Sequence, residues 1–94
     1  MEVRDIIWVD AFVDKIWQKH HVKTEEVEEV LESSPKIRFI EQGDVKGENV
    51  YAALGQTKGG RYLIVFFILK ENKYALIISA RDMSGREKKL YEKK

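Results

Sequence analysis

Cysteine is missing from the 94-residue chain, which removes disulfide scaffolds and thiolate metal sites from consideration. The two histidines, His20 and His21, are adjacent and cannot alone make a structural zinc site. No apolar run approaches the roughly 20 residues of a membrane-spanning helix; the longest, Tyr62–Leu69, has eight. Residues 1–5 lack the apolar stretch of a signal peptide. These absences together predict a soluble, cytoplasmic protein with no membrane partner. A phosphate-binding glycine loop is also missing, because residues 55–60 are not followed by Lys-Ser/Thr and a helix. No cofactor or metal is expected.

Proline occurs once, at Pro35, and divides the chain into two halves of different periodicity. The length fits one domain, residues 1–94, with a single modest core and no deep substrate cavity of its own. A hydrophobic share of 44% and a charged share of 35% are those of a globular domain with a well-charged exterior. The net charge of +1 hides a division. Residues 24–32 hold five glutamates and no basic residue, whereas residues 81–94 hold six lysines and arginines against three acids. One surface should be acidic and another basic.

Before Pro35, residues 6–9 read as a short strand. Asp10 reads as an N-cap, and Phe12, Val13, Ile16, Trp17 and His20 form one helix face over residues 11–20. Thr24 reads as a second N-cap, leading a helix with Val27, Val30 and Leu31 in its apolar stripe that ends at Ser33-Ser34-Pro35. After Pro35 the alternation predicts strands at 36–41, 50–55, 62–69 and 74–80. The turn between the last two, residues 70–73, assigns positive φ to Asn72. Ser84-Gly85-Arg86-Glu87 matches a capping box and starts a C-terminal helix. The predicted fold is α+β: a short N-terminal strand, two helices, a four-stranded mostly antiparallel sheet and a C-terminal helix.

Several residues invite chemistry. Arg81 follows a core strand, and alternation places it on one face with Ile77 and Ser79. It reads either as a phosphate clamp, through its planar fork, or as a strand end or partner of Glu87. Arg61, after Gly59-Gly60, lies at the same end of the sheet and reads as a second phosphate cation or a solvated strand end. His20 suits general acid-base work, and equally a hydrogen-bonded structural histidine. Lys19 is a further cation. Glu87 and Tyr91, four apart, share one helix face; capping and packing are their other readings.

Lys19-His20 with Val22 and Glu25-Glu26-Val27, then Ala53-Leu54-Gly55-Gln56-Thr57, Gly60-Arg61, Ile77-Ile78-Ser79-Ala80-Arg81, and Glu87 with Tyr91-Glu92 resemble the BrnT family across nearly the whole chain. The resemblance implies a RelE-like fold and a metal-independent endoribonuclease that halts translation, with His20, Arg61, Arg81, Lys19, Glu87 and Tyr91 as site residues. It also implies an RNA substrate and a BrnA-type ribbon-helix-helix antitoxin, with operator DNA contacted only through that antitoxin. Two positions depart from the family pattern: His21 stands where glycine is common, and Val50 where a basic residue is. They motivate the alternative of a weakly active or inactive binding module acting with the antitoxin in autorepression. A homodimer through the sheet edge at residues 36–41 is a third reading.

Overall fold

The computed structural model describes residues 1–93. The elements follow as β1 (Asp5–Ile7), α1 (Asp10–His20), α2 (Thr24–Glu32), β2 (Lys36–Gln42), β3 (Asn49–Gln56), β4 (Tyr62–Leu69), β5 (Tyr74–Asp82) and α3 (Gly85–Glu92). The fold is α+β, as the alternation implied, but the sheet has five strands, in the order β1-β5-β4-β3-β2. The short N-terminal strand joins it by pairing parallel to β5, with Ile6 opposite Ala75, and every other pairing is antiparallel. A three-residue strand shows no period of its own; β1 exists because β5 offers it an edge.

One face of the sheet carries α1 and α2. Ile16, Val22, Val27 and Val30 pack there on Ala53, Leu63, Val65, Phe67, Ala75, Ile77 and Ala80, all essentially inaccessible to solvent. The other face carries α3, with Tyr91 and Met83 on Ala52, Leu54, Ile64 and Phe66. This two-sided cover explains why β4 is apolar at every position. Lys36, opposite Leu54 on the edge strand β2, fastens α3 on the same face of the sheet. Its ammonium donates to the Leu90 and Lys93 carbonyls at 2.8 and 2.7 Å, so a cation satisfies the orphan acceptors at the helix C-terminus.

Two irregularities decide where side chains point. In β5, Ser79 opposes Phe66 while Ile77 opposes Phe67, so Ile78 is an extra residue in a bulge. The bulge reverses the alternation expected for this strand. Ile77, Ala80 and Asp82 lie on the α1/α2 face, whereas Arg81 and Ser79 lie on the α3 face, so Arg81 does not share a face with Ile77. A second bulge at Ile40 interrupts the edge strand β2.

The helix starts also depart from expectation. Val9 and Lys23 are the N-caps, so Asp10 and Thr24 each lie one residue inside the helix. Glu26 compensates for α2 by accepting from the Lys23 backbone N–H at 3.0 Å. The capping box at α3 forms as expected, with Glu87 N–H donating to Ser84 Oγ and Ser84 N–H to Glu87 Oε1. In the β4–β5 turn, positive φ falls on Lys73 (72°), while Asn72 Oδ1 accepts from the Tyr74 N–H.

Gly55 is where β3 passes closest to α2: an added Cβ would stand 2.9 Å from Ser33 Oγ and 3.0 Å from Val30. At Gly85 an added Cβ meets nothing within 4 Å among the described residues. Gly55→Ala should therefore cost about 1–2 kcal/mol by overpacking. Gly85→Ala, at a helical position, should be neutral or stabilising by up to about 1 kcal/mol. Urea denaturation of the two variants checks the contrast.

Candidate functional site

The residues singled out from the sequence gather at one end of the sheet, where β4 begins and β5 ends, but they divide between its two faces. His20, Lys19 and Arg61 lie on the α1/α2 side. Arg81, Glu87 and Tyr91 lie on the α3 side.

Arg61 is bound from several directions. Its Nε donates to Asp82 Oδ1 at 2.7 Å and Nη2 to Asp82 Oδ2 at 3.1 Å. Nη1 donates to the His21 carbonyl at 2.9 Å and to Glu26 Oε1 at 3.1 Å, and Nη2 also donates to the His20 carbonyl at 2.9 Å. A guanidinium has five N–H donors, and here each has an acceptor. Donating to the Asp82 carboxylate raises the Arg61 pKa above its already high ordinary value, with Glu26 adding to it. Asp82 is correspondingly held below the usual carboxylate range, chiefly by Arg61, with a smaller contribution from the nearby His20 charge. Arg61 thus ties the end of α1, the start of α2 and the end of β5 together.

The turn it grips is tight. His21 sits in the left-handed region (φ 53°, ψ 39°) and its N–H donates to the Trp17 carbonyl at 2.9 Å, the closing geometry at a helix C-terminus for which glycine is suited. The His21 ring stacks on Trp17 with centroids 5.1 Å apart. His20 is half-buried beside Asp82, and Lys19 is exposed.

On the opposite face Arg81 makes a bidentate pair with Glu87, Nη1 to Oε1 at 2.7 Å and Nη2 to Oε2 at 2.9 Å, and Nη1 also donates to the Asp82 carbonyl at 3.1 Å. Two of its donors, Nε–H and one Nη2–H, have no acceptor among the described residues. The guanidinium lies 5.5 Å over the half-buried Phe66 ring. Hydrogen bonding from Arg81 is the main cause that lowers Glu87 to about 2. Tyr91 packs edge-on to Tyr62 at 6.0 Å, and Lys88 lies over the same Tyr62 ring at 4.3 Å.

Phosphate gripped between Arg61 and Arg81 is therefore not the geometry at hand, since the two guanidinia point to opposite faces and Arg61 is saturated. Asp82 and Glu26, which saturate it together with the His20 and His21 carbonyls, are not among the site residues read from the sequence. Glu26 at the third position of α2 and Asp82 directly after Arg81 were visible, but their convergence on Arg61 depends on three elements meeting.

The family described as the ribonuclease toxin BrnT of type II toxin-antitoxin systems matches residues 8–87. The chain belongs to that family. The structure is similar to the crystal structure of the Brucella abortus ribonuclease toxin BrnT, with a TM-score of 0.62 and 23% sequence identity over 85% of this chain and 96% of that one. At that identity the likeness speaks for the fold. A comparison with curated proteins gives no match. As members of toxin-antitoxin systems, BrnT chains have an antitoxin as partner. Among the described residues no helix is long and apolar enough to cross a membrane.

The Arg81–Glu87 pair should show in acid. Glu87 ordinarily titrates near 4.5 and is lowered to about 2 in the folded chain, so its contribution is complete above pH 4.5 and fades as pH falls towards 2. Half-exposed as the pair is, the contribution is about 1 kcal/mol. Urea unfolding of the Glu87→Gln variant should show a correspondingly smaller loss of stability between pH 5 and pH 2.5 than the wild-type chain.

Proposed function

We propose that this chain is a toxin that cleaves RNA, inhibits translation and is neutralised by a cognate DNA-binding antitoxin. The observation that carries the reading is the family match over residues 8–87. Cleavage at a 2′-hydroxyl requires a base to take its proton, a cation to balance the phosphorane charge and an acid to protonate the departing 5′-oxygen. Arg81 is the phosphate cation in this reading. It is half-exposed, held on a rigid strand end, and keeps two donors free while its planar fork leans on Glu87. A phosphate oxygen approaching those donors meets a group already oriented by the ion pair.

His20 is the proton-transfer group, since an imidazole can both accept and give a proton, and it stands beside Asp82 at the same end of the sheet. Arg61 serves it by holding the His20 and His21 carbonyls, and so sets where the imidazole lies. Lys19, exposed next to His20, adds a cation to the path of the RNA backbone. Glu87 orients Arg81, and Tyr91 holds α3 against β4 through Tyr62. The antitoxin in this reading is of the BrnA ribbon-helix-helix type, and operator DNA is met through it.

The division of these residues between two faces favours a second reading. A chain whose Arg61 is saturated and whose Arg81 is paired with Glu87 would work as a binding module, with weak or absent cleavage, in autorepression with the antitoxin.

Purified chain incubated with single-stranded RNA separates the two. The enzyme reading expects cleavage, with Arg81→Ala slowing it by about 100-fold or more, the loss typical of removing one fixed transition-state donor. Intact RNA together with harmless expression of the chain in the absence of antitoxin would favour the binding module.

A further inference from the structure

The N-terminal arm, residues 1–4, runs over the α1/α2 face and packs Val3 into the core. Between the arm and α2 opens a cavity of about 420 Å³, floored by Met1, Val3, Leu31, Pro35 and Ile37. A second, of about 170 Å³, continues past Ile6 along Glu28. Both are lined by Val3, Leu31 and Glu32, so they are two reaches of one groove. At its β2 end the apolar surface extends to Phe39, which lies on the same strand face as Ile37 and is 57% exposed.

The wall of the groove is acidic. Glu28 and Glu32, four apart on α2, line it, and Glu25 continues their stripe beyond it. All three are exposed, and among the described residues none has a basic group within 4.0 Å. The basic side chain in the groove, Arg4, faces Glu2 at 3.7 Å. Asp5, at the same end, accepts from the backbone next to it. The stripe is thus an uncompensated negative field along an apolar trough, and its self-repulsion is relieved by a cationic occupant.

We propose that this groove docks a basic amphipathic segment of the antitoxin, its apolar side chains seated on Val3, Leu31 and Ile37 and its lysines or arginines against Glu28 and Glu32. The proposal rests on the reading that the chain has an antitoxin partner. Charge complementarity singles out this occupant. RNA would bring phosphates against glutamates, and a second copy joined by a two-fold axis through the groove would set one acidic stripe against another. The groove lies on the α1/α2 side, away from Arg81, so a docked segment leaves the α3 face uncovered. Neutralisation of the toxin would then depend on other parts of the antitoxin, while this segment supplies affinity.

The cognate antitoxin, purified and titrated into the full-length chain, is the probe. Glu28→Lys/Glu32→Lys should weaken binding tenfold or more at about 0.1 M salt, and the gap to wild type should shrink at about 1 M salt, where screening is strong. Glu71→Lys, a single charge reversal in the exposed β4–β5 turn, should stay within twofold, and so should fall well short of half the double variant's effect in free energy; both variants should melt like the wild type. Hydrogen exchange should slow at residues 1–6 and 28–37 on binding. Unchanged affinity in the double variant, or protection that spares those segments, overturns the proposal and leaves the antitoxin reading intact. Failure of the wild-type chain to bind the antitoxin overturns both. Self-association of the free chain that the double variant abolishes overturns it in favour of a second copy.

Discussion

Arg61 is the point on which three parts of the molecule depend. Two short helices linked by three residues need something to fix their angle, and the carbonyls ending α1 need donors. A single guanidinium does both. It satisfies the His20 and His21 carbonyls, binds Glu26 at the start of α2 and takes Asp82 from the end of β5 in a two-point contact. Lysine could not replace it, because an ammonium has three donors and no planar fork. The left-handed turn at His21 is kept under this grip although a β-carbon makes it costlier than glycine would.

A division of labour between the two arginines follows. Both emerge at one end of the sheet, but the bulge at Ile78 turns Arg81 to the α3 face while Arg61 lies under the helices. Arg61 has no donor to spare. Arg81 keeps two, over the Phe66 ring, in a half-exposed place. The residue able to meet a phosphate is therefore set on a frame that the other residue holds together. The acidic stripe of α2 lies on the far side of that frame, so the charge division along the chain becomes a spatial one: a guanidinium on one face, glutamates on the other.

Much of this was legible in the order of residues. The strands β3 and β4 announce themselves by alternation and by an unbroken apolar run, and Ser84 and Glu87 announce α3 through their spacing. Local signals of this kind are carried by neighbours along the chain. What escaped was carried by distant residues. The short strand at residues 6–9 was legible, but its place in the sheet is fixed by the edge of β5, and the facing of Arg81 by an extra residue opposite Phe66, which strict alternation cannot represent. The start of α2 lies one residue before Thr24: Lys23 is the N-cap, and its own N–H is taken up by Glu26 from the first turn. The saturation of Arg61 needed positions 20, 21, 26 and 82 to meet at one point, and no short motif encodes that.

The central claim is that Arg61 is a structural tie. The direct measurement is the urea unfolding free energy of Arg61→Ala, combined with hydrogen exchange across residues 17–26. Losing charge-assisted bonds and leaving Glu26, Asp82 and two carbonyls unpaired should cost about 2–4 kcal/mol, with the amides of residues 17–26 exchanging faster before the sheet does. A variant as stable as the wild type, with exchange in that segment unaltered, would contradict the account.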